Sequence, residues 1–146
     1  MKLSIQNLTK TYPSGVKALD RIALEIRPGM FGLLGPNGAG KSSLMRTIAT
    51  LQKSDYGKVI FNGIDTGHDP MSLRKTLGYL PQEFGVYPKE TAENLLDYFA
   101  ILKGISARKD RKAKVEKVLK LTNLFDARKK HVSSFSGGMR QRFGIA

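Results

Sequence analysis

The 146-residue sequence contains no cysteine. Disulfides and thiolate metal sites are therefore excluded. No apolar run approaches the roughly 18 residues of a membrane-spanning helix. The opening stretch, Met1-Lys2-Leu3-Ser4-Ile5-Gln6-Asn7-Leu8, interleaves polar residues where a secretory signal would carry a continuous apolar region. These absences predict a soluble, cytoplasmic setting. There is no internal repeat and no low-complexity segment, and the length suits one domain or part of one. Acidic residues are also scarce, and unevenly so: residues 101–146 hold 3 Asp/Glu against 13 Lys/Arg, whereas residues 1–100 hold 9 against 12, for a net charge of +13.

Half of the excess in residues 101–146 falls between Ala107 and Thr122. There Val115, Val118 and Leu119 share one helical stripe, while Arg108, Lys109, Arg111, Lys112, Lys114, Lys117 and Lys120 occupy the rest. Such charge could face nucleic acid or anionic lipid. No aromatic side chain interleaves with it, as a single-strand binder requires, so it reads as a solvated helix face rather than a nucleic-acid surface.

What the sequence does have is Gly35-Pro36-Asn37-Gly38-Ala39-Gly40-Lys41-Ser42, which fits the pattern G-x-x-x-x-G-K-Ser/Thr at every position. The apolar run Met30-Phe31-Gly32-Leu33-Leu34 precedes it and predicts a strand. Leu44, Met45, Ile48 and Ala49 follow at helical spacing. Strand, glycine loop and helix together form a device for holding a dense anion. Backbone N–H groups turn inward, and the helix start adds unpaired donors and partial positive charge. Lys41 is placed to reach the β- and γ-phosphates of a nucleoside triphosphate. The Ser42 hydroxyl would complete the shell of a Mg²⁺ ion bridging them, and Ser43 offers a second hydroxyl to the α-phosphate. The bland alternative is a glycine-rich turn before an ordinary helix; a chance match to the pattern in a chain of this length is on the order of a per cent.

The first thirty residues read as β: a strand to about Asn7, a turn at Pro13-Ser14-Gly15, then a strand over Ile22–Ile26. Lys58-Val59-Ile60-Phe61 followed by Asn62-Gly63 predicts a hairpin. Ser72 to Leu77 predicts a short helix, and Gly78-Tyr79-Leu80 a short strand ending at Pro81. Behind Thr91, a suitable N-cap, Leu95, Leu96, Phe99 and Leu102 form one helical stripe that Gly104 closes.

Three further features complete a pattern. Tyr12 lies at a β turn upstream of the glycine loop, Gln82 follows Gly78-Tyr79-Leu80-Pro81, and Ser136-Gly137-Gly138-Met139-Arg140-Gln141-Arg142 opens a helix. In this order and spacing the chain resembles the nucleotide-binding domain of ATP-binding cassette (ABC) transporters from Leu3 to Ala146. The stretch Tyr79 to Pro88 is most similar to bacterial exporter-type cassettes that work with a separate permease. The resemblance implies an α/β fold: a P-loop NTPase core with an antiparallel β subdomain over about residues 1–85, a helical subdomain over about 86–135, and the start of the signature helix at 136–146. It implies that Tyr12 stacks on adenine, and that Gln82 ligates Mg²⁺ and orients the attacking water. It further implies that Ser136, Gly137 and Gly138 serve in trans, contacting the γ-phosphate held by a second nucleotide-binding domain. ATP with Mg²⁺, a membrane permease subunit and a site on the inner face of the cell membrane complete the set. Phe135 and Met139 depart from the family's usual leucine and glutamine.

The resemblance also calls for a following strand with an aspartate for Mg²⁺ and a glutamate that polarises water, then a γ-phosphate-sensing histidine. None lies in this sequence. His68 and His131 precede the signature, and Asp97, Asp110 and Asp126 sit in helical or loop stretches. The chain is thus expected to be a C-terminally truncated cassette that binds ATP weakly and hydrolyses little. Two other classes stay open: a soluble nucleic-acid- or ribosome-associated cassette using the basic helix, and a non-catalytic gene remnant.

Overall fold

The computed structural model describes residues 2–81 and 89–146, which form two compact units, one ending at Tyr79 and the other beginning at Leu80. In the first unit, β1 (Leu3–Thr11) and β2 (Lys17–Ile26) form a hairpin, and β3 (Tyr56–Phe61) with β4 (Ile64–Asp65) forms another. They make one antiparallel sheet in the order β2-β1-β3-β4. Helix α1 (Lys41–Ile48) and the short α2 (Pro70–Arg74) complete the unit.

β1 reaches four residues beyond the expected end at Asn7 because it bulges there. Asn7 takes φ +48°, and the register to both neighbouring strands shifts after Ile5 and Gln6. The bulge puts Ile5 and Leu8, three residues apart, into the same core, where alternation alone would separate them. Gly57 closes against it: its φ is +85°, and a Cβ there would overlap the carbonyl oxygens of Gln6 and Asn7. Ile5, Leu8, Leu19, Val59 and Leu44 form the unit's core, so the sheet and α1 share one apolar layer. The Asn62-Gly63 turn takes positive φ at both positions, as a two-residue hairpin requires.

Two segments expected as strands carry no strand. Residues 30–34 and 78–80 are irregular. Apolar content alone does not make a strand; a ladder partner does. Among the described residues no segment pairs with either, and Met30, Phe31 and Leu34 stay exposed.

The second unit is helical. α3 (Ala92–Leu102) starts at Thr91, whose side chain accepts from Asn94 N, and ends before Gly104 at φ +85°. α4 (Arg108–Leu121) follows, then single 3-10 turns at Phe125–Ala127 and Val132–Ser134, and α5 (Gly137–Ile145). Ala92, Leu95, Leu96, Val115, Leu119, Leu124, Val132, Phe135 and Phe143 make its core. Arg111 belongs to the fold rather than to the solvated face. Its guanidinium pairs with Asp97 at 2.9 Å and donates to the carbonyls of Ile105 and Ser106, clamping the α3–α4 connection. The remaining basic residues of α4 point outward, with Lys120 pairing Glu116 one turn away. Among the described residues no buried side-chain polar atom lacks a hydrogen-bond partner.

Candidate functional site: a glycine loop at a helix start

The loop Gly35–Gly40 runs directly into α1. Gly40 is the N-cap residue, at φ +83°. Only glycine suits it: the left-handed backbone disfavours any side chain, and a Cβ would overlap the carbonyl oxygen of Ala18 in the sheet behind. The loop is thus pressed onto β2 where it enters α1. No side chain caps that end, and its first turn holds no acidic residue. The first intrahelical bond is Leu44 N to Gly40 O at 2.8 Å, so the amides of Lys41, Ser42 and Ser43 precede the helical ladder.

Lys41 bends back into the loop, its Nζ donating to Gly35 O and Pro36 O, each at 2.6 Å. A cation thereby sits beside the N-terminal amides, and the two together favour a polyanion. Ser42 is exposed on the first turn, whereas Ser43 is buried. Asn37, Gly38 and Ala39 form the exposed crown, with Gly38 at φ +84°.

Tyr12 stands at the β1–β2 turn, held by Tyr12 N to Val16 O and Gly15 N to Tyr12 O, both 2.9 Å. Its hydroxyl lies 2.9 Å from Ser43 Oγ and donates to Gln52 Oε1 at 3.2 Å. The structure therefore brings Tyr12 to the helix of the glycine loop, 31 residues on. Asp55 anchors the strand leading to Tyr12: its carboxylate accepts from Lys10 Nζ at 2.8 Å and from Thr11 N at 2.6 Å. Those bonds, Lys10 first, hold the Asp55 carboxyl below the usual aspartate range. Sequence reasoning missed Gln52 and Asp55; each follows a helix or precedes a strand with no local pattern to mark it.

Gln82 lies outside the described residues. Ser136, Gly137 and Gly138 belong to the helical unit. Ser136 caps α5, its Oγ accepting from Met139 N at 3.3 Å, and all three residues are exposed. Phe135 fixes this start, buried beside Phe143 with ring centroids 6.0 Å apart and nearly perpendicular. The aromatic residue that departs from the usual leucine is thus the anchor of the segment, and half-buried Met139 packs against the same core.

The family model described as ABC transporter matches residues 19–146. The chain belongs to the ABC transporter family. It is 36% identical over its whole length to the doxorubicin resistance ATP-binding protein DrrA of Mycobacterium tuberculosis, covering 44% of that protein. Over 90% of its length it is 38% identical to the ABC transporter ATP-binding protein NatA of Bacillus subtilis, covering 54%. The chain therefore spans about half of these curated relatives. Among solved structures, a dimeric bacterial ABC transporter cassette superposes with a TM-score of 0.86 at 30% identity, over 98% of this chain and 67% of that one. The fold is that part of an ABC ATPase cassette: a P-loop architecture with an antiparallel sheet and a helical unit. Among the described residues no helix is long and apolar enough to cross a membrane.

The residues present fit a magnesium nucleotide. Among the described residues no cluster of three His, Cys, Asp or Glu could cage a metal alone. Ser42, exposed on the first turn of α1, offers one protein oxygen, and Mg²⁺ is commonly held by substrate phosphates with only one or two protein oxygens.

Proposed function

We propose that the protein containing this chain is the ATP-binding subunit of an ABC transporter. It would couple ATP binding and hydrolysis to transport through a partner permease, peripherally on the inner face of the cell membrane. The observation that carries this reading is the uncapped α1 terminus with the Lys41 cation folded beside it. Gly35, Pro36, Asn37, Gly38, Ala39 and Gly40 wrap the phosphates, Lys41 neutralises the β- and γ-groups, and Ser43 serves the α-phosphate through its backbone N–H, since its buried hydroxyl is bonded to Tyr12 rather than free for phosphate as the sequence suggests. Ser42 and Gln82 hold Mg²⁺, whose chemistry is to neutralise charge on the phosphoryl being transferred. Tyr12 stacks on adenine, which supports affinity with little choice of base.

Ser136, Gly137 and Gly138 face the γ-phosphate of a second nucleotide-binding domain, so that ATP closes two cassettes head to tail. ATP drives closure through its higher affinity for the closed state, and hydrolysis reopens it. On this reading the 146 residues by themselves bind ATP weakly and hydrolyse it little or not at all. The test is Lys41→Ala in the full-length protein. Hydrolysis should vanish and ATP affinity fall roughly 10- to 100-fold, as expected for lost charge-assisted hydrogen bonds. Unchanged turnover would sink the assignment.

A further inference from the structure

The half-buried Gln52 sits just beyond α1 and uses both ends of its amide. Its Nε2 donates to Ser43 O at 3.0 Å and to Thr47 Oγ1 at 2.9 Å. Its Oε1 accepts from Tyr12 Oη at 3.2 Å. The amide's orientation follows from these partners, because the Ser43 carbonyl can only accept. The Tyr12 proton is therefore committed to Gln52, and the phenol oxygen accepts from Ser43 Oγ at 2.9 Å. Thr47 closes the circuit by donating to Ser43 O at 2.8 Å. Ser43 and Thr47 are buried, where linked hydrogen bonds are stronger and hold geometry better than in water.

None of these bonds is needed to cradle phosphate. What they join is the ring at the β1–β2 turn and the helix that carries the glycine loop. We propose that Gln52 is a positioning residue for nucleotide binding: the Tyr12–Gln52–Ser43 circuit sets the distance between the base-stacking ring and the phosphate-binding helix. This rests on the reading of the Lys41 loop as an ATP site. A ligand that spans both ends feels the circuit; a ligand made only of phosphates does not.

The experiment compares equilibrium binding of Mg·ATP and of inorganic tripolyphosphate to the full-length protein, to Gln52→Leu, to Tyr12→Phe and to the double variant. Tyr12→Phe keeps the ring and removes only the hydroxyl. Each single variant should weaken ATP binding roughly threefold to tenfold, the range of one neutral hydrogen bond, with tripolyphosphate affinity unchanged. The double variant should lose no more than the weaker single, since both changes break one circuit. ATP affinity unchanged in folded variants, equal losses for both ligands, or additive losses in the double variant would each overturn the proposal. Should Gln52→Leu fail to fold, the Tyr12→Phe comparison of the two ligands decides in the same way. A wild-type protein that binds neither ligand would instead overturn the ATP-site reading, and this proposal with it.

Discussion

Two helices of this chain begin at glycine-rich stretches, and they begin differently. α1 starts at Gly40, which has no side chain to offer, so its terminal amides are left for something else. α5 starts at Ser136, whose hydroxyl accepts from Met139 N and satisfies one of those donors internally. The glycines differ as well. Gly40 is demanded by the fold, since its φ is +83° and Ala18 O blocks any Cβ. Around Gly137 there is nothing within 4 Å of a Cβ position. Its bare backbone serves no need of this unit's own packing. One start is an open cradle built into a sheet edge; the other is a finished, exposed helix end held rigid from below by Phe135.

Removing that support should have the largest effect. Phe135→Ala deletes a buried ring packed on Phe143 and should destabilise the helical unit by about 3–5 kcal/mol, read as a shifted urea midpoint. The same variant should keep its ATP affinity, because the Lys41 loop rests on a different core. Next comes Gly40→Ala, which should cost about 1–3 kcal/mol from backbone strain alone. It should abolish measurable ATP binding by displacing the loop, and an unaltered ATP affinity would show that the cradle does not depend on that contact.

The contrast is sharpened by Gly137→Ala. Alanine is the better helix former, so thermal stability should hold or rise by up to about 1 kcal/mol. ATP-dependent dimerisation, measured by light scattering, should nonetheless fall. A variant that dimerises normally would remove the in-trans role from this segment.

The smallest effect concerns Asp55, whose carboxyl is held low by Lys10 and by Thr11 N. A depressed folded-state value means a stabilising contribution that is complete above the ordinary aspartate range and lost as pH falls through the lowered value. Asp55→Asn should therefore be less stable than wild type near neutral pH, with the two curves converging in acid. Urea midpoints measured from about pH 7 down to 3 would show it. Parallel curves would mean that the Lys10 and Thr11 contacts contribute nothing to β1.

Much of this comparison is legible in residues that act locally. The glycine loop, the Asn62-Gly63 hairpin, the Thr91 cap and the Ser136 helix start each depend on neighbours a few positions away. Long-range terms are where sequence reading stops. Residues 30–34 read as a strand from apolar content, but a strand needs a partner, and the described residues supply none. The extension of β1 to Thr11 depends on a bulge at Asn7 that Gly57, 50 residues on, accommodates. Arg111 looks like one more solvated charge until its pairing with Asp97 on the preceding helix is seen. Gln52 is a polar residue after a helix with nothing around it to mark a role. Its importance lies in Tyr12 and Ser43, 40 and 9 residues away. Tyr12 itself is marked only by resemblance, and its bond to Ser43 comes only from the fold.

The most direct measurement is an equilibrium titration of the full-length protein with Mg·ATP, alongside Lys41→Ala and with circular dichroism to confirm that both are folded. The account predicts one saturable ATP site per chain in the wild type and a loss of roughly 10- to 100-fold in the variant. Equal affinity in both, or no binding to a folded wild type, would contradict it.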